Sequence, residues 1–301
     1  MNDLSYLYEN CRLCPRMCGA DRRRTTGVCG QGTSIRAARA ALHLWEEPCL
    51  SEQGGSGAIF FSGCTLRCCF CQNYDISQEG LGQVVASDRL LDIMLRLQDE
   101  GVQNIDLITA TQFLPSILPV LERARPLLHI PLVYNCGGYE RVETLRMLEG
   151  YIDIYLPDLK YLSSELSGRY SAAPDYFSHA SEAIKEMIRQ TGAPVFNENG
   201  SLKRGTIIRH MVLPGQREDS IHLLHWMKEE LPERAWLISL LSQYTPFYHA
   251  SEHPEINRRI TSYEYDKVVD EALRLGLDLG YMQERQSARE EYTPPFDLSG
   301  L

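Results

Sequence analysis

Between residues 57 and 280, a short apolar run gives way six times to a stretch with helical periodicity. This alternation limits the folds open to the chain more than any other feature. The runs are AIFFS (58–62), NIDLITA (104–110), IPLVYN (130–135), IDIYLP (152–157), a strand within GTIIRHMVLPG (205–215), and AWLISLL (235–241). Strands of a parallel sheet are buried on both faces and read as near-continuous apolar runs, as these do. The first predicted helix is ASDRLLDIMLRLQDEG (86–101), capped at Ser87 or Asp88 and stopped at Gly101. SILPVLERA follows, with Pro119 in or near the first turn, then RVETLRMLEG, residues 175–191, REDSIHLLHWMKEEL and YEYDKVVDEALRLG (263–276). About 37 residues per unit suits parallel βα units, which take roughly 30 or more. The prediction is an α/β domain of parallel strands. Periodicity leaves an open doubly wound sheet and a partial barrel equally available.

In either architecture the chemistry gathers at the carboxyl ends of the strands. Those ends carry Cys64 to Cys71 after the first run, Thr109 and Thr111 after the second, and Asn135-Cys136-Gly137-Gly138 after the third. Asp158 and Lys160 follow the fourth, Arg209 and His210 lie in the fifth, and Ser242, Gln243 and Tyr244 follow the sixth. Polar loop ends are commonplace, but they do not explain the cysteines.

The chain has ten cysteines, eight of them before residue 70. MNDLSYLYENCR at the amino end has no basic region followed by an apolar one, and no later run has membrane length, so a cytoplasmic protein away from the membrane is expected. Thiols stay reduced in that compartment, so close cysteine spacing reads as metal or cluster ligation. Residues 1–53 form a cysteine-rich module, EQGGSG (52–57) marks a boundary, and 54–301 carry the α/β domain and a polar tail. A formal net charge of -10 repels phosphate backbones, so a nucleic-acid partner is excluded. Arg22-Arg23-Arg24 is too short to form a binding stripe and reads as a solvated loop.

Cys64, Cys68 and Cys71 offer three thiolates on one turn-rich loop. Ferredoxin-type clusters take four cysteines, so a set of three leaves one iron of a 4Fe–4S cluster open to an external ligand. Cys69 is left as a packed thiol, and structural zinc, which wants four ligands, fits this set less well. Cys11, Cys14, Cys18 and Cys29, in CRLCPRMCGADRRRTTGVCG, make a separate set of four able to close one site completely. Structural zinc and a second iron–sulfur cluster both suit it, with the reading leaning toward zinc. Cys49 reads as packed, His43 as a core histidine, and His222 and His225 as surface or packing residues.

The Cys64-x3-Cys68-x2-Cys71 spacing, with Phe70 before the last cysteine, resembles the radical S-adenosylmethionine superfamily. FFSGCTLRCCFCQNYDIS, VYNCGGYE, DIYLPDLKY and RHMVLPG together resemble the pyruvate formate-lyase (glycyl-radical enzyme) activating enzymes, from about residue 11 to PPFD near the end. The resemblance implies a partial (β/α)6 barrel. It implies a 4Fe–4S cluster on Cys64, Cys68 and Cys71, whose open iron is chelated by S-adenosylmethionine. It also implies reductive cleavage to a 5′-deoxyadenosyl radical that abstracts hydrogen, with electrons from a donor such as flavodoxin or ferredoxin. Asp158 and Lys160 match the Asp-x-Lys that contacts the cofactor in that family. Arg209 either holds the cofactor carboxylate or closes a structural ion pair.

The sequence also departs from the family. TAT (109–111) replaces a Gly-Gly-Glu turn, making Thr109 and Thr111 the cofactor candidates there. Asn135-Cys136-Gly137-Gly138 replaces an Asp-Thr-Asn-Gly turn, and LLSQY replaces a histidine, leaving Gln243 or Tyr244 for its role. The substrate expected is a protein or peptide, because little chain remains for a lid over the barrel mouth. A small-molecule substrate and a non-catalytic metal protein are the alternatives.

Overall fold

A computed structural model describes residues 4–283 and 293–301. The chain runs through β1 (Arg36–His43), α1 (Pro48–Ser51), β2 (Ser56–Phe61), α2 (Tyr74–Ser77), β3 (Gln83–Val84), α3 (Ser87–Asp99), β4 (Asn104–Ile108), α4 (Leu114–Ala124), β5 (Leu132–Cys136) and α5 (Val142–Arg146). It continues with β6 (Ile154–Pro157), α6 (Ser164–Ser171), α7 (Tyr176–Thr191), β7 (Val195–Phe196), β8 (Leu202–Met211), α8 (Arg217–Glu230), β9 (Leu237–Leu241), α9 (Ser262–Arg274) and β10 (Gly280–Met282). The sheet order is β10-β9-β8-β6-β5-β4-β2-β1-β3. Pairing is parallel along β2, β4, β5, β6, β8, β9 and β10, β1 runs antiparallel to both β2 and β3, and β7 runs antiparallel to β8. The six predicted strand–helix units are β2, β4, β5, β6, β8 and β9 with the segments that follow them, and they form a partial barrel. No helix among the described residues is long and apolar enough to cross a membrane.

Strand alternation sorts the side chains into two sets. Ile59, Phe61, Ile105, Leu107, Leu132, Tyr134 and Tyr155 face outward into one core with α3 and α4. Ile208, Ile238 and Leu240 face outward into a second core with α7, α8 and α9. The opposite parity points into the barrel. Val133, Ile154, Leu156, Ile207 and Leu237 meet Cys49 and Leu50 of α1, which plug the barrel from the amino ends of its strands. The Leu50 carbonyl accepts from Asn104 Nδ2 at the start of β4, at 2.8 Å, which fixes the plug.

Several sequence expectations shift. Residues 36–43, assigned from sequence to the N-terminal module, form β1 against β2 and extend the sheet. Neither Ser87 nor Asp88 caps α3; Ala86 holds that position with no side-chain bond, while Gly101 ends the segment at φ 85°. Pro115 occupies the first turn of α4, where a missing N–H costs little, and Pro119 lies inside the helix. The tail is not loose over 293–301. Its Leu298 N–H donates to Ala38 O and its Ser299 O accepts from Ala40 N–H, so it runs along β1. The expectation for 284–292 lies outside the described residues.

Candidate functional site at the carboxyl end of the barrel

Asp106, Asn135, Asp158 and Arg209 share the inward parity of β4, β5, β6 and β8, so four neighbouring strands bring them together above the apolar plug. Asp158 and Arg209 are bridge partners where β6 ends. Arg209 Nε donates to Asp158 Oδ1 at 2.9 Å and Nη2 to Asn135 Oδ1 at 2.5 Å. Its Nη1 lies 3.3 Å from Glu46 Oε2. Lys160 Nζ donates to the other Asp158 oxygen at 2.6 Å. Burial alone would raise Asp158, but Arg209 and Lys160 outweigh it and hold the carboxyl below its ordinary value. Burial likewise disfavours the Lys160 ammonium, and Asp158 reverses this and raises it. Asp158 is therefore an anion gripped by two cations, one on each oxygen.

A turn positions this pair. Gly138 has φ 76°, and an added Cβ would lie 2.1 Å from Asp158 O and 2.9 Å from the Tyr176 hydroxyl. That hydroxyl, from the start of α7, lies 2.9 Å from Gly137 O and 2.8 Å from Asp158 O, and accepts from Lys160 N–H at 3.0 Å. One phenol thus joins the turn after β5 to the chain after β6, which only a glycine lets approach so closely.

Deeper in the barrel, three further carboxyls, those of Glu46, Glu47 and Asp106, bear on Arg209. Asp106 is fully buried, and Asn135 Nδ2 donates to its Oδ2 at 3.1 Å. Burial first, then the Glu46 charge, raises Asp106 well above the ordinary value. Burial also raises Glu46, and it pushes Glu47 up to about 7. Asp106 Oδ1 itself meets no hydrogen-bond partner among the described residues.

The Cys64 loop closes the cavity above. Cys64, Cys68 and Cys71 line one cavity of about 260 Å³, and Phe70, Thr109, Asn135, Asp158, Lys160, Arg209 and Gln243 line it too. Each of the three sulfurs meets a donor. Leu66 N–H lies 3.4 Å from Cys64 Sγ, Ser171 Oγ donates to Cys68 Sγ at 3.0 Å, and Ser77 Oγ lies 3.3 Å from Cys71 Sγ. Burial and the thiols' mutual repulsion raise Cys64, and they push Cys71 up to about 11. A cation at their centre removes both penalties, so the donor set fits an iron–sulfur cluster. Among the described residues, no three His, Cys, Asp or Glu side chains are already drawn up at single-ion spacing.

Not every candidate reaches the cavity. Thr111 is buried behind it, where Oγ1 donates to Glu140 Oε1 at 2.8 Å and meets the Tyr134 hydroxyl at 2.7 Å. Tyr244 is buried against the Phe70 ring with centroids 5.6 Å apart, and its hydroxyl donates to Ile256 O. Cys69 is partly buried outside the cavity. Cys49 is packed in the plug, and His225 pairs with Glu271 between α8 and α9 at 2.6 Å. Arg22 departs from its predicted solvated loop. It is 2 % exposed, lies over the Tyr8 ring and donates to Gln31 O and Cys11 Sγ.

Sequence reasoning missed Trp45 and Glu46, which wall the cavity from the β1–α1 connection, and Thr293 and Pro294 of the tail, while His43, read as a core histidine, is buried at the end of β1 and lines the cavity as well. It also passed over Asp106. A charge inside an otherwise apolar run was the available signal, since a strand buried on both faces holds an acid only where something pairs with it.

The model of the family described as "Radical SAM superfamily" matches residues 58–227, which span β2 through α8. An uncharacterized protein of Methanocaldococcus jannaschii is 29% identical over 283 residues, covering 91% of this chain and 78% of that protein. SuiB of Streptococcus suis, in its crystal structure with the precursor peptide SuiA, superposes with a TM-score of 0.52 at 16% identity. The match covers 75% of this chain and 48% of SuiB, so this chain spans about half the length of that protein. Methylornithine synthase (PylB) superposes with a TM-score of 0.52 at 14% identity over 90% of this chain and 68% of that one. With the family model covering more than half of its residues, this chain belongs to the radical S-adenosylmethionine superfamily.

Proposed function

We propose that this radical S-adenosylmethionine enzyme takes a hydrogen atom from a protein or peptide, in the manner of a glycyl-radical enzyme activase. The observation that carries the proposal is that DIYLPDLKY and RHMVLPG, which resemble the activating enzymes, supply Asp158, Lys160 and Arg209, and that these three side chains meet at the barrel mouth, although Asn135 beside them departs from that family. The SuiB structure, with its bound precursor peptide, gives the fold a peptide-binding precedent. In this reading Cys64, Cys68 and Cys71 hold the 4Fe–4S cluster. When bound, that cluster and S-adenosylmethionine supply one-electron cleavage of the sulfonium to a 5′-deoxyadenosyl radical.

The chain's own residues then position and shield. Asp158 is held ionised by Arg209 and Lys160, so it can accept from a cofactor hydroxyl or ammonium without a proton of its own. Lys160 and Arg209 present positive charge to a carboxylate. Thr109 and Asn135 would meet the methionine part of the cofactor; Thr109 Oγ1 donates to Asn135 O at 3.0 Å, which fixes the β4 and β5 ends relative to one another. Phe70 and Gln243 complete the wall, with Gln243 Oε1 held by Gln283 Nε2 at 2.8 Å. The electron donor in this reading is a flavodoxin or ferredoxin. Cys11, Cys14, Cys18 and Cys29 hold a second metal centre.

A small-molecule substrate is the second reading. It is favoured by the Glu46 carboxyl in the cavity wall and by Trp45, Thr293 and Pro294 narrowing the mouth. The test is to incubate reduced enzyme and S-adenosylmethionine with candidate glycyl-radical proteins and record electron paramagnetic resonance. A glycyl doublet on the partner is the expected result. Deuterium passing to the cofactor from a labelled metabolite, with no protein radical formed, would sink the proposal and promote the second reading.

A further inference from the structure

The N-terminal cysteines are packed directly under the loop that carries Cys64. Cys11, Cys14, Cys18 and Cys29 line a cavity of about 10 Å³ whose wall also includes Thr65 and Gln112. Two of the sulfurs converge on one glycine: Cys18 Sγ and Cys29 Sγ each lie 3.4 Å from the position of a Gly27 Cβ. Turns at Met17 (φ 39°), Gly19 (φ 67°) and Gly30 (φ 77°) fold this segment back on itself, with Cys11 N–H donating to Ala20 O and Gly19 N–H to Cys11 O, each at 3.0 Å. Arg22 is buried with its Nη1 3.7 Å from Cys11 Sγ, a fixed cation beside what would otherwise be an excess of thiolate charge. The Gln112 carboxamide is 2 % exposed, and its Oε1 meets no donor among the described residues.

We propose that Cys11, Cys14, Cys18 and Cys29 hold one four-thiolate zinc ion, and that this site clamps the loop bearing Cys64, Cys68 and Cys71. Volume favours a single ion over a cluster. A space of about 10 Å³ is roughly that of one water-sized sphere, whereas an eight-atom iron–sulfur cube needs several times more. The barrel cavity, by the same measure, offers about 260 Å³. Four thiolates with no open position make a closed structural site rather than a catalytic one. The ion gathers the thiols by side-chain rotation within turns already built.

The clamp is a set of bonds from between and beside the four ligands. Arg16 Nε donates to Thr65 O at 2.8 Å and Nη2 to Ser171 O at 3.2 Å. The Arg67 guanidinium donates to Val28 O. Gln112 Nε2 donates to Ser62 O at 2.9 Å and to Gly63 O at 3.0 Å, immediately before Cys64. Gly63 has φ 82°, and a Cβ there would lie 2.6 Å from Cys29 O. The ion therefore orders both sides of the loop. The clamp half of the proposal rests on the reading of that loop as the cluster's; the zinc half does not.

The test uses the full chain with Cys64, Cys68 and Cys71 replaced by alanine, so that the barrel contributes no iron. Elemental analysis is expected to find about one zinc per chain. Adding Cys14→Ser and Cys29→Ser should remove it. Should that variant fail to fold, cobalt(II) supplied in place of zinc to the alanine variant should give a tetrahedral tetrathiolate absorption spectrum. Iron with inorganic sulfide, or no metal at all, overturns the site. In the wild-type chain, chelating the zinc should raise amide hydrogen exchange across residues 63–71. Unchanged exchange with the zinc gone overturns the clamp. Loss of S-adenosylmethionine cleavage with zinc and exchange intact would count against the proposed function alone.

Discussion

At the scale of single residues, Asp158 carries the greatest electrostatic load. It has a cation on each oxygen, and its carbonyl is pinned by Tyr176. Removing one partner of a buried pair leaves the other charge uncompensated, which costs about 3–5 kcal/mol in full burial; here solvent reaches both Lys160 and Asp158, so the cost is smaller. Asp158→Asn should therefore leave the chain folded. It should also raise the dissociation constant of S-adenosylmethionine at least about tenfold, or 1.4 kcal/mol, measured by equilibrium dialysis on reconstituted protein. Asp158→Glu should recover part of the loss. Unchanged affinity in Asp158→Asn would remove Asp158 from the cofactor site. The sequence located this acid by its place after the fourth apolar run and by its Asp-x-Lys match. That Lys160 and Arg209 grip the same carboxylate was not legible, because the partners lie on different strands and meet only after register is fixed.

At the scale of elements, the turn after β5 shows what a glycine-rich stretch does here. Gly138 combines φ 76° with a carbonyl 2.1 Å from where its Cβ would stand. Left-handed backbone costs an ordinary residue about 1–2 kcal/mol, and the clash adds to it. Gly138→Ala should lower the melting temperature by several degrees, while Gly150→Ala, which also has positive φ but open space around it, should lower it less. Equal losses in calorimetry would mean that conformation alone, and not the close approach to Asp158, sets the cost. Strand and helix existence was legible because both-face burial and helical periodicity are local signals. The β1 strand and the three-residue β10 were not, since each is defined by the neighbours it pairs with rather than by its own pattern. Pro119 misled for the same reason. Propensity places a proline in a first turn, but packing of Ile117, Leu118, Val120 and Leu121 into the core keeps α4 helical around it.

At the scale of the whole molecule, one polar cavity stands between an apolar plug below and a cysteine loop above. The N-terminal turns brace that loop, and the tail strapped to β1 brings Thr293 and Pro294 to the mouth. The cysteines, Asp158, Lys160 and Arg209 were visible from the sequence because they fall within or just after the apolar runs, at the strand ends where the chemistry of such folds gathers. Glu46 and the walls from β1–α1 were not, because they reach the cavity from chain that precedes the barrel. The central claim is that Cys64, Cys68 and Cys71, and not Cys69, carry the chemistry. Its most direct measurement is 5′-deoxyadenosine produced from S-adenosylmethionine by anaerobically reconstituted, reduced protein. Wild type and Cys69→Ala should both produce it, and alanine at Cys64, Cys68 or Cys71 should abolish it. A Cys69→Ala variant as inactive as Cys68→Ala would contradict the account.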